Sequence, residues 1–395
     1  MSFEIALSGI NAINAELNQI SNNIANSSTY GFKSTRANFA SMYAGTQPTG
    51  AEVGSMTQSI DIGGGVLTTG RGMDASIQGR GFFVTKDTSG AMLYSRVGIF
   101  SSDKSGNIID SFGRKVQGYP TIPGSTALGG MNDLTVPTGQ VAAQASTKLQ
   151  YVGNLSADWT TPSVTPFNKA DPLSFNGSMV SVVYDSLGSQ HSVTQYFVKT
   201  ASNQVTTHYT FDGTDLPSTT VLDFGTNGQL TSPTGPATIA LGTPAGAAAL
   251  SIDLNYTGTT QFAGEATTSV NATDGYASGT MIGVQLSEDG SVMAQYSNGQ
   301  KQSVGKIALA TFPNENALVS VSDTSWTTSV GSGAPLFFTP GSGMAGKLTT
   351  GALEQSNVDM TAQLVNLMSA QRNYQANTKV ISTENDLVKA LMQAV

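Results

Sequence analysis

Apolar side chains recur every three or four residues along the first 26 positions of the chain. This spacing places them on one stripe, at the a and d positions of a heptad repeat, and predicts an amphipathic helix. A helix of this length is marginal alone in water, so we expect it to pack against a second helix. The predicted packing residues are Phe3, Ala6, Ile10, Ile13, Leu17, Ile20 and Ile24.

A second helical repeat occupies the last 38 positions, 358–395. Ser356 or Asn357 is the predicted N-cap, and Asp359 would lie in the first turn, where the helix dipole favours a carboxylate. Polar residues such as Gln371 share the stripe with apolar ones, which weakens the packing but fixes its register. We therefore expect the two ends of the chain to pack together or against neighbouring copies. The predicted packing residues of this segment are Met360, Leu364, Leu367, Tyr374, Ile381 and Val388.

Between these ends, short apolar runs alternate with polar residues and are separated by glycine. Such runs predict hairpins at 94–120 and 284–312 and a two-strand unit at 179–200. The stretch 146–275 differs in charge, with no Arg, three Lys and nine Asp plus Glu. It reads as a domain inserted between two halves of another. The predicted fold class is therefore mainly β with terminal α-helices, and its domains are discontinuous and nested.

An asparagine-rich stretch, "NQISNNIANSSTYGFKS", covers the end of the first predicted helix. Asn22 and Asn23 take positions off the apolar stripe. The run from Asn26 to Thr29 offers side chains that bond to the backbone and stop the helix. Gly31 permits a turn toward the β-patterned part. We therefore interpret the stretch as a hinge rather than as a polar active site.

The chain carries few charges. Only 11% of its residues are charged, against about 25% in an average soluble domain. A sparsely charged polar surface tolerates dense packing against copies of itself, since little ionic desolvation is required. The net charge is −8, and the 18 Lys and Arg residues form no basic stripe. We therefore expect no nucleic-acid partner.

The chain has no cysteine, which excludes disulfides, thiolate nucleophiles and sulfur-ligated metal sites. No Lys or Arg precedes Lys33, and no continuous apolar core lies before it, so we expect no cleavable signal peptide. No apolar run approaches the roughly 18 residues of a membrane-spanning helix, so we expect no membrane insertion. Two locations stay open: the cytoplasm, or the exterior after export by a route that leaves the N-terminus intact.

Motifs with possible chemistry are weak. "GSGMAGKL" at 341–348 has P-loop spacing, but Leu348 stands where Ser or Thr would hold magnesium, so we interpret it as a Gly-rich connector. His191 and His208 lie in β-patterned segments without a nucleophile-elbow motif, and we interpret them as ordinary strand residues. Carboxylates such as Asp103 lie mostly beside glycine in turns. We expect no enzyme activity and no catalytic, metal or cofactor site.

Three stretches together resemble the bacterial flagellar rod, hook and hook-associated proteins. They are "NNIANSSTYGFKSTRANF", "GRGMDASIQGRGFF" and "GALEQSNVDMTAQLVNLMSAQRNYQANTKVISTENDLVKALM", and they follow in the family's order. Two positions depart slightly, because Ser76 and Arg80 stand where relatives more often have Ala and an acidic or amide residue. The residues of the matching motifs that we assign to the helix packing and the hinge are Asn22, Asn23, Asn26, Thr29, Gly31, Phe32, Lys33, Gln371, Arg372 and Tyr374.

The resemblance implies a helical tube built from copies of the chain. The terminal helices would form an inner, coiled-coil-like layer around a central channel, with two β-rich domains outside it. It also implies assembly with flagellar rod, hook cap and hook–filament junction proteins, and export by the flagellar type III apparatus. The implied domains are a terminal helical domain (1–26 and 358–395), a connector (27–70 and 351–357), a discontinuous β domain (71–145 and 276–350) and an inserted outer β domain (146–275).

Within the family, the strands at 180–200 are similar to those of the hook members, whereas rod proteins are generally shorter and lack a large inserted domain. The resemblance therefore implies a structural, non-enzymatic subunit of the extracellular flagellar hook, a flexible hollow tube that transmits torque from rod to filament. The nearer alternative is another axial component, such as a distal rod or hook–filament junction protein. The remote alternative is a secreted β-rich adhesin or carbohydrate-active protein.

Overall fold

The computed structural model describes residues 2–122 and 127–394. Met1 and Val395, which end the predicted helical ranges, lie outside the described residues, as do 123–126 of the predicted first β domain. The described chain is mainly β, with one α-helix near each end: α1 spans Ser2–Ala25 and α2 spans Met360–Ala394. This is the predicted fold class.

The chain divides into two compact units. The first contains the chain up to Thr138, the segment Gly283–Gln295 and the chain from Lys301 onward. The second contains Gly139–Ile282 and Tyr296–Gln300. Both helices belong to the first unit. The four-part division implied by the resemblance stays a proposal.

Strands β1 to β10 belong to the first unit. They are β1 (Thr35–Ala44), β2 (Gln47–Gln58), β3 (Val66–Thr68), β4 (Ala75–Gln78), β5 (Phe82–Lys86), β6 (Met92–Ser95), β7 (Phe100–Ser102), β8 (Ile108–Asp110), β9 (Lys115–Pro120) and β10 (Asn132–Asp133).

Strands β11 to β19 belong to the second unit. They are β11 (Lys148–Asn154), β12 (Gly177–Tyr184), β13 (Gln190–Ala201), β14 (Gln204–Phe211), β15 (Thr214–Phe224), β16 (Leu230–Ser232), β17 (Ala237–Gly242), β18 (Leu250–Asn255) and β19 (Thr267–Thr273). The remaining strands lie in the first unit, except that the first two residues of β20 and the last residue of β21 belong to the second. They are β20 (Met281–Leu286), β21 (Ser291–Tyr296), β22 (Lys301–Ile307), β23 (Leu309–Thr311), β24 (Val319–Val321), β25 (Ser325–Thr327), β26 (Leu336–Phe338), β27 (Lys347–Thr350) and β28 (Ala352–Glu354).

The start of α2 corrects one expectation. The Asp359 carboxylate accepts hydrogen bonds from the backbone N–H groups of Thr361 (2.9 Å) and Ala362 (3.1 Å), so Asp359 is the N-cap. Capping by Ser356 or Asn357 is therefore wrong. Neither reaches the first turn, because α2 begins only at Met360 and Asn357 bonds elsewhere in the hinge.

The segment 27–70, which the resemblance implies is a connector, contains regular structure. Strands β1 and β2 form a long antiparallel hairpin there, in register from Thr35 opposite Gln58 to Ala44 opposite Gln47. The hairpin packs along α1, and Ala51 N–H donates to Ser8 Oγ at 3.2 Å. The run shows no sustained apolar alternation, so the sequence pattern did not predict it.

The first unit is built on an antiparallel sheet with the order β20-β21-β22-β9-β5-β6-β25-β24. The predicted hairpins are confirmed, since β7 pairs with β8 and β21 pairs with β22. Asp103 accepts backbone bonds from Ser105 and Asn107, as expected of a turn carboxylate. A buried apolar cluster beside this sheet contains Ile60, Phe82, Val84, Tyr94, Ala308, Ala310, Phe312, Leu318 and Trp326.

The second unit is a sandwich of two sheets. One has the order β17-β18-β11-β19 and the other β12-β13-β14-β15-β16. The predicted two-strand unit is confirmed, with Gly177 opposite Phe197 and Tyr184 opposite Gln190. Buried side chains of both sheets meet in one cluster, which includes Leu149, Val193, Leu222 and Ile252.

Candidate functional site: the helix pair and its hinge

The two terminal helices lie antiparallel. Near one end of the pair, Asn23 Nδ2 donates to Gln363 Oε1 at 3.2 Å. Near the other end, a Cβ at Gly9 would lie 3.2 Å from Asn377 Nδ2. These two contacts are 14 residues apart on each helix, so the pair keeps one register along its length.

The buried contact of the helix pair is small. Ile13, Ile20 and Ala370 form its buried apolar cluster, with Leu17, Ile24 and Leu367 packed against it. The sequence pattern marked five of these six positions and missed Ala370. Its small side chain lets the helices approach closely, and no heptad spacing singles it out.

The other predicted packing residues differ in burial within the single chain. Ala6 is buried and Ile10 and Ile381 are half-buried. The rest are 37–49% exposed: Phe3, Met360, Leu364, Tyr374 and Val388. Gln371 and Arg372 are also exposed. Packing of these residues in an assembly stays a prediction.

The C-terminal part of α2 continues past α1. At the register above, the first residue of α1 lies level with position 384 of α2, so 385–394 extend about 15 Å further at 1.5 Å per residue. This overhang carries the exposed apolar side chains Leu387, Val388, Leu391 and Met392, which are 49–77% exposed. Since exposed apolar stripes mark interaction surfaces, the overhang is a candidate contact with another copy.

The helix α1 ends in a chain of amide and hydroxyl bonds. Asn26 Nδ2 donates to the carbonyl of Asn22 at 2.9 Å and to its side-chain Oδ1 at 3.0 Å. Thr29 Oγ1 donates to Asn26 Oδ1 at 3.1 Å. The Asn22 carbonyl also accepts the backbone N–H of Asn26 at 3.1 Å, and α1 stops at Ala25.

Gly31 turns the chain away from the helix. Its φ is +66°, a region that side chains with a Cβ rarely adopt. A Cβ would also lie 3.0 Å from the backbone carbon of Arg96. The Gly31 N–H donates to the Glu354 carbonyl at 2.8 Å, which joins the two chain ends at this turn.

Asn23 lies off the apolar stripe, as the sequence indicated, yet it is only 1% exposed. The β1–β2 hairpin covers that side of α1. Asn23 Nδ2 donates to the Thr35 carbonyl at 2.7 Å, and Asn23 Oδ1 accepts from Thr35 N–H at 3.0 Å. With the bond to Gln363, one amide connects α1, β1 and α2.

A buried ion cluster follows the turn. Lys33 Nζ lies 2.6 Å from Glu354 Oε1, and Arg96 Nη1 lies 3.4 Å from Glu354 Oε2. All three side chains are at most 4% exposed. Lys33 Nζ also donates to the Ile62 carbonyl at 2.7 Å. Glu354 therefore pairs with two cations that lie far from it along the chain.

Burial dominates the electrostatics of this cluster. It lowers the pKa of the Lys33 amine, and the charge and hydrogen bond of Glu354 oppose that shift. Burial likewise lowers the pKa of the Arg96 guanidinium, which lies 5.2 Å from the centre of the Phe82 ring. Because buried charges need partners, removing Glu354 would leave both cations uncompensated. Lys33 was a predicted hinge residue; Glu354 and Arg96 were missed.

Asn357 completes the hinge from the C-terminal side. Its Oδ1 accepts from Ser34 N–H at 2.7 Å, and its Nδ2 donates to the carbonyls of Ser59 (2.9 Å) and Ile62 (3.0 Å). The N- and C-terminal segments are thus bonded to each other immediately before the helix pair. The arrangement fixes how the helices leave the β part.

Three findings concern metal binding, membrane spans and the P-loop-like stretch. In residues 2–122 and 127–394, no group of three or more His, Cys, Asp or Glu could hold a metal ion. Neither described helix combines the length and the apolar character needed to cross a membrane. The P-loop-like stretch leads into β27 at Lys347 and not into a helix, so its interpretation as a connector agrees with the structure.

Four family models match the chain. They are flagella basal body rod protein at 3–33, flagellar hook protein FlgE/F/G D1 domain at 76–150, flagellar basal body protein FlaE D2 domain at 154–276, and flagellar basal body rod FlgEFG protein C-terminal at 349–394. The N- and C-terminal models cover the helix pair and parts of the hinge. The chain is thus of the flagellar rod and hook class.

Relatives that match over almost the whole chain show which family within this class the chain belongs to. The flagellar hook protein FlgE of Salmonella typhimurium is 40% identical over 99% of both chains, and that of Escherichia coli is 39% identical over 99% of both. The crystal structure of Helicobacter pylori flagellar hook protein FlgE2 shares the fold, with a TM-score of 0.51 at 13% identity, over 71% of this chain and 98% of that one. The chain belongs to the flagellar hook protein family.

Proposed function

We propose that the chain is the structural subunit of the bacterial flagellar hook and polymerises into a flexible hollow tube that passes torque from rod to filament. One observation supports the proposed polymerisation: α2 extends past α1, and its side chains Leu387, Val388, Leu391 and Met392 are exposed. Within the described residues of a single chain, α1 is the other α-helix, and it does not reach this stripe. A neighbouring copy offers the exposed apolar residues near the start of α1, which include Phe3 and Leu7.

In the proposed mechanism, different regions of the subunit make the permanent and the sliding contacts. In a bent, rotating tube, each row of subunits lengthens and shortens in turn, so one layer must stay joined while other contacts slide. Register-specific helix packing suits the joined inner layer. The inserted domain, predicted at 146–275, would supply the sliding outer contacts, since its sparse charges and many hydroxyls make alternative contacts nearly equal in energy.

The hinge would connect these layers. Asn23, Lys33, Glu354 and Asn357 join the two chain ends with several bonds at one place. Force on the helix pair would therefore reach the β part through two segments bonded together rather than through a single flexible linker. In this proposal the hinge residues position the helices and carry out no reaction.

The proposed partners are further copies of the chain, the flagellar rod, the hook cap and the hook–filament junction proteins. The proposed location is the extracellular hook, reached through the flagellar type III export apparatus without a cleaved signal peptide. We propose no enzymatic activity, no cofactor and no metal.

One alternative has specific support. Family models of rod proteins match both ends of the chain, at 3–33 and 349–394. Another axial component, such as a distal rod or hook–filament junction protein, would share these ends. Polymer shape separates the two, because a hook tube is curved and a rod is straight.

Electron microscopy of negatively stained purified chain, concentrated to allow assembly, tests the proposal. We expect curved hollow tubes. Straight tubes would favour the rod alternative, and the absence of any polymer under all assembly conditions would contradict a self-assembling hook subunit.

A variant pair tests the overhang. Val388→Asp places a charge in the apolar stripe and should abolish tubes, because burying an unpaired carboxylate between helices is costly. The control is Ser382→Asp, which adds the same charge about 120° around the helix from Val388 and should still assemble. Normal tubes from the Val388→Asp variant would show that the overhang is not part of the contact between subunits.

A further inference from the structure

One histidine of the second unit lies between two carboxylates. His191, on β13, has Nδ1 at 2.6 Å from Asp212 Oδ2 and Nε2 at 3.3 Å from Asp185 Oδ2. Its side chain is 16% exposed, and its ring packs against Phe211 with centroids 5.1 Å apart. The imidazole therefore occupies the space between two turns of one sheet.

Both carboxylates are held by the backbone as well. Asp185 lies in the turn between β12 and β13, and its Oδ1 accepts from the N–H groups of Leu187 (2.9 Å) and Ser189 (2.8 Å). Asp212 lies in the turn between β14 and β15, and its Oδ1 accepts from Ser192 N–H at 2.8 Å. Each Oδ2 is thereby aimed at the ring.

This geometry matches only one protonation state of the ring. Ionised carboxylates only accept hydrogen bonds, and a neutral imidazole has a single N–H, so it can satisfy one of the two. An imidazolium has two N–H groups and satisfies both. We propose that protonation of His191 is a reversible clamp that ties the β12–β13 turn to the β14–β15 turn.

The charges around the ring support the clamp. The hydrogen bond to Asp212 raises the pKa of His191 most, and Asp185 adds to it against the effect of burial. Burial opposes ionisation of Asp185 and Asp212, but backbone bonds and His191 outweigh it and lower the pKa of each. Asp185 and Asp212 are the charged groups that face the ring from the neighbouring turns.

The sign of the pH effect follows. Because the folded-state pKa of His191 is raised, its stabilisation is complete below its ordinary value of 6.5 and disappears as pH rises through the raised value. The pKa values of Asp185 and Asp212 are lowered in the folded state. Their contribution to stability is therefore fully present above pH 3.8, and it disappears as the pH falls through the lowered values. The clamp is therefore complete between pH 3.8 and 6.5 and opens as the pH rises through the raised pKa of His191.

The other histidine is a natural reference within the same sheet. His208, on β14, stacks on Phe167 with centroids 4.3 Å apart, and burial lowers its pKa. The chain has two histidines in all. The two should titrate on opposite sides of the ordinary value.

Nuclear magnetic resonance of the full chain, labelled with ¹⁵N in the histidine rings, tests the clamp between pH 4.5 and 9. A His208→Gln variant assigns the two rings. We expect His191 to titrate above pH 6.5 with both nitrogens protonated below its pKa, and His208 to titrate below. The backbone amide signals of Gly188 and Gly213, one in each turn, should follow the His191 titration.

Substitutions distinguish a clamp from a pKa shift of His191 that has no effect on the two turns. Asp212→Asn and Asp185→Asn should each lower the pKa of His191, and His191→Gln should abolish the pH response of both turn amides. The His208→Gln variant is the control and should keep that response. A His191 pKa at or below 6.5, or turn amides that ignore its titration in the unsubstituted chain, would overturn the proposal. The clamp does not depend on whether the chain polymerises.

Discussion

The second unit and the helix pair hold themselves together in different ways. In the second unit, side chains from two sheets meet in one apolar cluster, which contains Tyr151 and Phe197 with ring centroids 5.2 Å apart. Its buried polar pairs include Tyr209 Oη and Tyr256 Oη, which lie 3.0 Å apart. In the helix pair, the buried apolar cluster of the described residues is Ile13, Ile20 and Ala370.

The difference shows where each region finds its stability. A sandwich buries both of its inner faces within one chain, so its core is complete in the monomer. The helix pair buries one small patch and relies on the polar hinge at one end. Its other end leaves apolar surface exposed, as expected of a region whose core is completed only by neighbouring copies.

The largest effect is expected at the hinge. Glu354→Gln removes the negative charge from two buried cations and should destabilise the hinge by about 3–5 kcal/mol. Hydrogen exchange of backbone amides at 31–34 and 352–357 should accelerate, while amides of the second unit should keep their protection. The control is Asp386→Asn, whose partner Lys389 is 4.0 Å away at the surface. Unchanged exchange in the Glu354→Gln variant would show that the ion cluster does not hold the hinge.

A core truncation in the sandwich should have the next largest effect. Leu222→Ala empties a fully buried position in the second unit and should cost about 2–5 kcal/mol. Protection against hydrogen exchange should fall across β13, β14 and β15 and stay unchanged in α1. Val221→Ala, on the opposite face of the same strand and 41% exposed, is the matched control. Equal losses in the two variants would contradict a complete apolar core.

The same truncation in the overhang should have the smallest effect. Leu391 is 67% exposed, so Leu391→Ala should change the stability of the dilute monomer by no more than about 0.5 kcal/mol. Urea unfolding followed by circular dichroism measures it beside Leu222→Ala. A loss above about 1 kcal/mol would mean that the overhang is already packed in the monomer, and the contrast between the two regions would fail.

Much of the architecture was predictable from local pattern. Heptad spacing located α1 and α2, and Gly-punctuated alternation located the hairpins at β7–β8, β12–β13 and β21–β22. The motif at the end of α1 indicated the family and marked Lys33 as a hinge residue. These predictions succeed because each depends on residues a few positions apart, where the side-chain period and the turn residues determine the backbone conformation.

The contents of the hinge were decided only by the tertiary structure. Lys33 and Glu354 are 321 positions apart, and no period or composition connects them. Asn23 is buried because a hairpin with no clear apolar alternation folds over it, and Asn357 bonds into the hinge while Asp359 caps α2. The sequence by itself determined which segments form helices and strands, since those choices are local. The pairing of distant charges and amides was decided only by the tertiary structure, because these side chains come into contact only when the two chain ends meet.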